Sequence, residues 1–218
     1  MDAPKNKLTI LLASGNLHKV EEIQAFFQAS GLDVAVLPAT NLDGLDENAS
    51  TFLGNAEIKA RFVLDEAKER LATFTLGDDS GFIVEALAGH QGLTDFPGVR
   101  SNRWLAGDVT HADRCRGICD LLGDSSQRSA RFVCAMSLIE VATGEVFSVE
   151  GVCPLWIRQD GELVGANGFG YDPMVHYVDE QGQVSPKTMA ELSMTEKTAI
   201  SHRGRALNQL KVLLASTF

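Results

Sequence analysis

The sequence predicts an α/β protein built on one mixed β-sheet flanked by helices. Three observations carry this expectation. The chain opens as a β-α-β unit, a helical stripe follows it, and an alternating stretch from Arg131 to Glu140 turns at Thr143-Gly144 and returns from Val146 to Ile157. Such a return is an antiparallel hairpin. Parallel-type units in front and a hairpin behind exclude a purely doubly wound sheet.

Leu8 to Ala13 is a short continuous apolar run ended by Ser14-Gly15, which fits a buried strand. Val20, Ile23, Phe26 and Phe27 then recur at helical spacing, with Asn16 as N-cap and Gly31 as stop. Asp33 to Leu37 reads as a second strand before Pro38, and residues 41–50 are acidic and turn-rich. One longer helix follows, its stripe formed by Phe52, Ala56, Ala60, Val63, Ala67 and Leu71. Thr75 to Gly77 is a strand that ends in the turn Asp78-Asp79-Ser80-Gly81, and Phe82-Ile83-Val84 continues extended. Gly89 to Arg100 reads as a surface loop and Thr110 to Leu122 as a helix. In the hairpin, Phe132, Cys134, Met136 and Leu138 share a face. The last helix starts at a capping box, Ser193 with Glu196, and carries Ile200, Leu207, Leu210, Leu213 and Leu214. Residues 1–7 form a polar tail, and 8–218 read as a single domain without repeats or linkers.

A chain of 218 residues can bury one substantial core. Its net charge of −10, from 29 acidic and 19 basic side chains, repels nucleic-acid polymers and anionic membranes. A small phosphorylated substrate stays open if a few bases and a metal gather at one site. The Leu8–Ala13 run is too short for a signal peptide, and no stretch approaches the roughly 20 apolar residues of a membrane span. The four cysteines form no CxxC pair, which points to the reducing cytoplasm. His111, Cys115 and Cys119 fall at i, i+4 and i+8, a spacing better read as small thiols on an amphipathic face than as metal ligands.

Four segments carry chemistry. Adjacent carboxylates such as Asp78 and Asp79 at a strand end are costly unless a divalent cation or a proton separates them, and Mg²⁺ uses few protein oxygens plus substrate phosphates. Glu47 is either a further ligand or a solvated side chain, and capping of a turn by Asp and Ser is the other reading of the pair. Ser14-Gly15-Asn16-Leu17-His18-Lys19 lies where a strand meets a helix start, where free N–H groups and the helix dipole attract anions. It equally fits an ordinary N-cap turn with a solvated lysine. Gly168-Phe169-Gly170-Tyr171-Asp172-Pro173 combines glycines that admit close approach with aromatics that can stack on a base, or is a Gly-rich turn with Phe169 in the core. His202 and Arg203 supply donors near the C-terminal helix, and Lys187 lies in a polar loop beside Pro186.

Taken in order, Ser14-Gly15-Asn16…Lys19…Glu22, Thr51-Phe52…Asn55-Ala56…Lys59-Ala60, Asp78-Asp79-Ser80-Gly81, Pro97-Gly98, Gly168–Pro173, Lys187-Thr188…Glu191-Leu192 and Ser201-His202-Arg203-Gly204 resemble the inosine triphosphate pyrophosphatase family. The match runs from residue 8 to about 210. The resemblance implies an elongated mixed sheet in two lobes with a central nucleotide cleft, usually as a homodimer. It implies Mg²⁺-dependent hydrolysis of non-standard purine nucleoside triphosphates (ITP, dITP, XTP) to the monophosphate and pyrophosphate. Asp79 matches the catalytic acceptor and a metal carboxylate, with Glu47 and Asp78 sharing the ion. Ser14, Gly15, Asn16 and Lys19 match phosphate-binding positions, and Ser80 a substrate-contacting serine. Phe169, Gly170, Tyr171 and Asp172 match the segment against which base and sugar lie, and Lys187, His202 and Arg203 match contacts to base or phosphates. Three departures stand out: Gly54 in place of a glutamate, a longer loop from Gly89 to Phe96, and Asn102 and Trp104 in place of alanine and tyrosine. A pyrophosphatase for modified pyrimidine triphosphates would share the carboxylates but lack the Phe169–Asp172 and Ser201–Arg203 segments. A non-catalytic nucleotide binder would lack a metal carboxylate.

Overall fold

The computed structural model describes residues 7–168 and 170–217. Its strands are β1 (Leu8–Leu12), β2 (Val34–Pro38), β3 (Phe74–Val84), β4 (Pro97–Gly98), β5 (Ser129–Glu140), β6 (Val146–Ile157), β7 (Val175–Val178) and β8 (Val184–Thr188). The helices are α1 (Leu17–Ser30), α2 (Phe52–Phe62), α3 (Leu64–Glu69), α4 (His111–Leu122), α5 (Met194–Ile200) and α6 (His202–Thr217). Hydrogen bonding orders the sheet β2-β1-β3-β5-β6-β7-β8, with β4 beside β3. β1 runs parallel to β2 and β3, whereas β7 runs antiparallel to β6 and β8, so the sheet is mixed as expected. The chain divides into two compact units, one gathering the chain through Asp79, Cys134–Glu150 and the stretch from Ala206, the other Ser80–Val133 and Gly151–Arg205.

In the first unit, strand alternation sends Ile10, Leu12, Phe74 and Leu76 to one face, where Val20, Ile23 and Phe27 of α1 and Ala206, Leu207 and Leu210 of α6 cover them. Leu11 and Ala13 take the other face, against Val63, Ala67 and Ala72. Coverage on both faces explains the continuous apolar run of β1. α1 starts at Asn16, whose Oδ1 accepts from the His18 N–H at 3.0 Å, and stops at Gly31 in the left-handed region (φ 76°). Gln24 binds β2 from that helix: its Nε2 donates to Val34 O at 3.0 Å and its Oε1 accepts from the Val36 N–H at 2.8 Å.

The structure departs from the expected elements at several points. The single long helix is two, parted at Val63, and Leu71 leaves the stripe with φ 53° and 89% exposure. Ala72, past the end of the helix, joins Val63 and Ala67 on the apolar face behind β1, and Leu71 is left outside it. A second correction concerns Asp78 to Gly81, which form no turn: β3 runs unbroken through them to Val84.

The second unit packs Phe82, Val84, Phe96, Trp104, Ile118, Phe132, Leu155, Ile157, Tyr171 and Met174 into its core. α4 begins with a capping box between Thr110 and Asp113. The stretch from Gly89 to Arg100 is not wholly a surface loop, because it buries Phe96 completely. Lys187 lies on β8 rather than in a loop. The final helix splits at Ser201, whose extended ψ of 157° ends α5. Its Oγ then accepts the Gly204 N–H at 3.1 Å, as an N-cap does for α6.

Candidate active site

Side chains on a strand alternate, so neighbours in sequence face opposite sides. Asp78 shares the side of Phe74 and Leu76, where the Lys19 ammonium pairs with its Oδ1 and the Cys134 thiol donates to its Oδ2 at 3.4 Å. Asp79 faces α2. There Lys59 Nζ donates to Oδ1 at 2.8 Å and Asn55 Nδ2 donates to Oδ2 at 3.2 Å. The two carboxylates therefore do not crowd each other, and a lysine on each side balances their charge.

Lys59 does more than pair with Asp79. Its ammonium also lies 2.7 Å from Glu47 Oε2 and donates to the Asp78 carbonyl at 3.2 Å. Asn55 accepts from the Ala49 N–H at 2.9 Å, which ties the acidic loop carrying Glu47 to α2. Two glycines let these parts approach. A Cβ on Gly77 would sit 1.9 Å from Ala56 O, so only glycine allows α2 this close to β3. A Cβ on Gly54 would lie 2.7 Å from Ala49 Cβ, so this departure lets the acidic loop pack against the start of α2.

Burial pushes the Asp79 carboxyl above its ordinary pKa of 3.8, although the Lys59 charge and hydrogen bond and Asn55 draw it down. Burial alone would lower the Lys59 pKa, but the charges and hydrogen bonds of Asp79 and Glu47 outweigh it and hold the ammonium above its ordinary 10.5.

At the strand-to-helix turn, Ser14 Oγ accepts from the Asn16 N–H at 3.1 Å, so both predicted side chains shape the turn itself. Gly15 faces open space. The structure thus brings Lys19, Glu47, Asp78 and Asp79 into one connected cluster, adjoining α1 at its N-terminus.

The remaining candidates belong to the second unit. Phe169 lies outside the described residues. Gly168 and Gly170 adopt φ of 85° and 66°, and a Cβ on Gly168 would meet Asp172 Oδ2 at 2.3 Å. Asp172 is buried and accepts from Lys197 Nζ at 2.6 Å. Tyr171 is buried too, its hydroxyl accepting from Trp104 Nε1 at 2.9 Å and donating to Ser101 O at 2.7 Å. The His202 ring packs on Phe132 at 5.1 Å, and Arg203 is 4% exposed. Ser80 is half-buried on β3. Lys187 is more exposed and lies 3.5 Å from Glu196.

Sequence reasoning assigned no role to Asn55, Lys59 or Lys197. A signal existed for the first two: polar residues at i and i+4, on the buried face of a helix, need partners. Lys197 had none, because its partner Asp172 is 25 residues away. His111, Cys115 and Cys119 form no metal group, and among the described residues no cluster of three or more His, Cys, Asp or Glu is arranged as a cage.

Fold and site together define an α/β protein in which an interior strand of the sheet bears a buried, lysine-compensated acidic site. The Ham1 family profile matches residues 10–213, and the chain belongs to that family, as its ordered motifs led us to expect. It is 36% identical over 220 residues to a dITP/XTP pyrophosphatase of Coxiella burnetii, covering 97% of this chain and 98% of that protein. It is 35% identical over 204 residues to the dITP/XTP pyrophosphatase of Escherichia coli K12, covering 92% and 95%. Among solved structures, a HAM1 protein from Coxiella burnetii superposes with a TM-score of 0.80 at 35% identity, over 96% of this chain and all of that one. The Staphylococcus aureus Ham1 protein gives 0.77 at 30% identity, with 96% of this chain and 100% of that chain covered.

Proposed function

We propose that this protein hydrolyses non-standard purine nucleoside triphosphates, dITP, ITP and XTP, to the monophosphate and pyrophosphate. The names of the full-length relatives support this reading. The observation that carries it is the framed carboxylate of Asp79: 8% exposed, oriented by Asn55 and Lys59, and raised in pKa by burial. A carboxyl so held has the orientation and proton affinity of a general base.

Mg²⁺ is part of the proposal, and the donors suit it. Glu47 and Asp79 already converge on one positive charge, the Lys59 ammonium, and two hard carboxylates plus substrate phosphates are the set this ion uses. When bound, the ion supplies charge neutralisation on the phosphates and a polarised water. We assign it to Glu47 and Asp79. Asp78, grouped with them on the sequence, turns to the other side of β3 and is assigned to holding Lys19 in place.

Asp79 accepts the proton of the water that attacks the α-phosphorus, through Oδ2, which bears the longer of its two hydrogen bonds. Lys19 and the N-terminal end of α1, with Ser14, Gly15 and Asn16 shaping the turn, take the triphosphate. Ser80 and the segment around Gly170, Tyr171 and Asp172 take sugar and base. His202, Arg203 and Lys187 supply donors, Arg203 being the more buried of the two cationic side chains. We further place the protein in the cytoplasm as a homodimer, with residues 8–218 acting as one domain.

A pyrophosphate-release assay with ITP, run with Mg²⁺ and with chelator, tests the reading. Equal amounts of IMP and pyrophosphate, formed only with metal, are expected. Release of orthophosphate with IDP, or no turnover, would overturn it.

A further inference from the structure

We propose that Trp104 is a positioning residue: through the Tyr171 hydroxyl it sets the segment Gly170–Asp172 and so tunes discrimination among bases. The inference rests on the assignment of that segment to the base and sugar.

Gly168 and Gly170 lie in the left-handed region and lack side chains, so they impose little restraint of their own. The segment is held by its anchors. One is Asp172, bound to Lys197. A second is the Cys115 thiol, which donates to Gly170 O at 3.5 Å, and a third is the Tyr171 hydroxyl, which accepts the indole N–H of Trp104 and donates to Ser101 O. Ser101 is itself fixed: its Oγ accepts from the Phe82 N–H at 2.7 Å and donates to Gly98 O at 2.6 Å. The Tyr171 ring stacks on Phe82 with centroids 4.5 Å apart and planes 21° apart. Phe82 contacts Phe132 at 5.3 Å, which contacts the His202 ring at 5.1 Å. Two residues assigned to the base side are thus joined by one run of rings, and Trp104 holds the tyrosine end.

Trp104 has little freedom to move. It meets Phe96 edge-on at 5.2 Å, and its far edge lies against α4 at Gly117, where a Cβ would approach Cη2 to 2.8 Å. Glycine inside a helix is unfavourable; here its missing methyl makes room for the indole.

Steady-state pyrophosphate release from ITP and GTP tests the proposal in Trp104→Phe, Tyr171→Phe, the double variant and Gly117→Ala. Trp104→Phe keeps a ring but loses the donor. It is expected to raise KM for ITP about five- to tenfold, the weight of one buried hydrogen bond, with a smaller fall in kcat and a reduced ITP-to-GTP preference. The double variant should be no worse than Tyr171→Phe, since both lose the same bond. Gly117→Ala, which removes no polar group, should shift KM in the same direction by displacing the ring. A Trp104→Phe enzyme that melts earlier yet keeps wild-type KM and base preference would reduce Trp104 to core packing and overturn the inference. If Trp104→Phe does not fold, unchanged KM values in Tyr171→Phe and Gly117→Ala overturn it equally. Wild-type protein inactive on ITP would remove the functional reading and this inference together, whereas an active wild type with unaltered variants removes this inference alone.

Discussion

Asp79 sits among influences that pull its proton affinity in opposite directions. Burial raises it, Lys59 and Asn55 lower it, and the nearby Glu47 charge raises it again. As the proposed proton acceptor it must be ionised, so kcat/KM should fall on the acid side through an apparent pKa above 3.8. Lys59→Met removes the main opposing charge and should move that limb to higher pH; a limb that stays in place would detach Asp79 from the titration. Asp79→Asn should keep the fold and lose activity by about 10²- to 10⁴-fold, and wild-type turnover would refute its role. The stability signs agree between the partners, though the pH windows differ. Asp79, raised in the folded state, contributes stability that is full below its unfolded pKa and lost as pH rises through the folded value. Lys59, also raised, contributes stability that is full below 10.5 and lost above it. Thermal midpoints of wild type should therefore drop in strong alkali, and Lys59→Met should lose that drop. Removing Lys59 also leaves a buried carboxylate without its counter-ion, at a cost of about 3–5 kcal/mol.

At the scale of elements, the site depends on how closely α2 lies on β3. Asn55 and Lys59 reach Asp79 because Gly77 has no side chain between the helix and the strand. Gly77→Ala should cost about 1–3 kcal/mol or more, since the blocking atom is a backbone carbonyl that cannot rotate away, and should reduce activity by lifting α2. Gly15→Ala is the contrast: nothing lies within 4 Å of its Cβ position. Its denaturation midpoint should stay near wild type, within about 0.5 kcal/mol, while its KM reports how closely a phosphate approaches that turn. Element boundaries show where sequence patterns mislead. The stripe from Phe52 to Leu71 suggested one helix because spacing says nothing of where a packing surface ends; Ala72 joins the face behind β1 while Leu71 stays exposed. Likewise Asp78-Asp79-Ser80-Gly81 has the composition of a turn but continues a strand, because lysines on both sides neutralise its acids.

For the molecule as a whole, the proposed activity has a testable selectivity. Hypoxanthine and xanthine offer a 6-keto oxygen where adenine carries an amino group. A buried donor aimed at the 6-position would be satisfied by the former and left unpaired by the latter, a loss of roughly 1–3 kcal/mol. ITP and XTP should therefore be hydrolysed at least about tenfold more efficiently than ATP, and equal kcat/KM values would defeat the assignment.

Much of this protein was legible before any coordinates. The opening β-α-β unit, the Asn16 and Ser193 caps, the hairpin and the order of the polar segments follow from local rules of periodicity and hydrogen bonding, which act over a few residues and leave their trace in spacing. Which charges meet was decided only by the tertiary structure. Lys19 pairs with Asp78 across 59 residues and Lys59 with Asp79 across 20, on opposite sides of one strand. Those pairings come from burying apolar faces of helices against a sheet, which carries distant side chains together irrespective of their spacing in the chain.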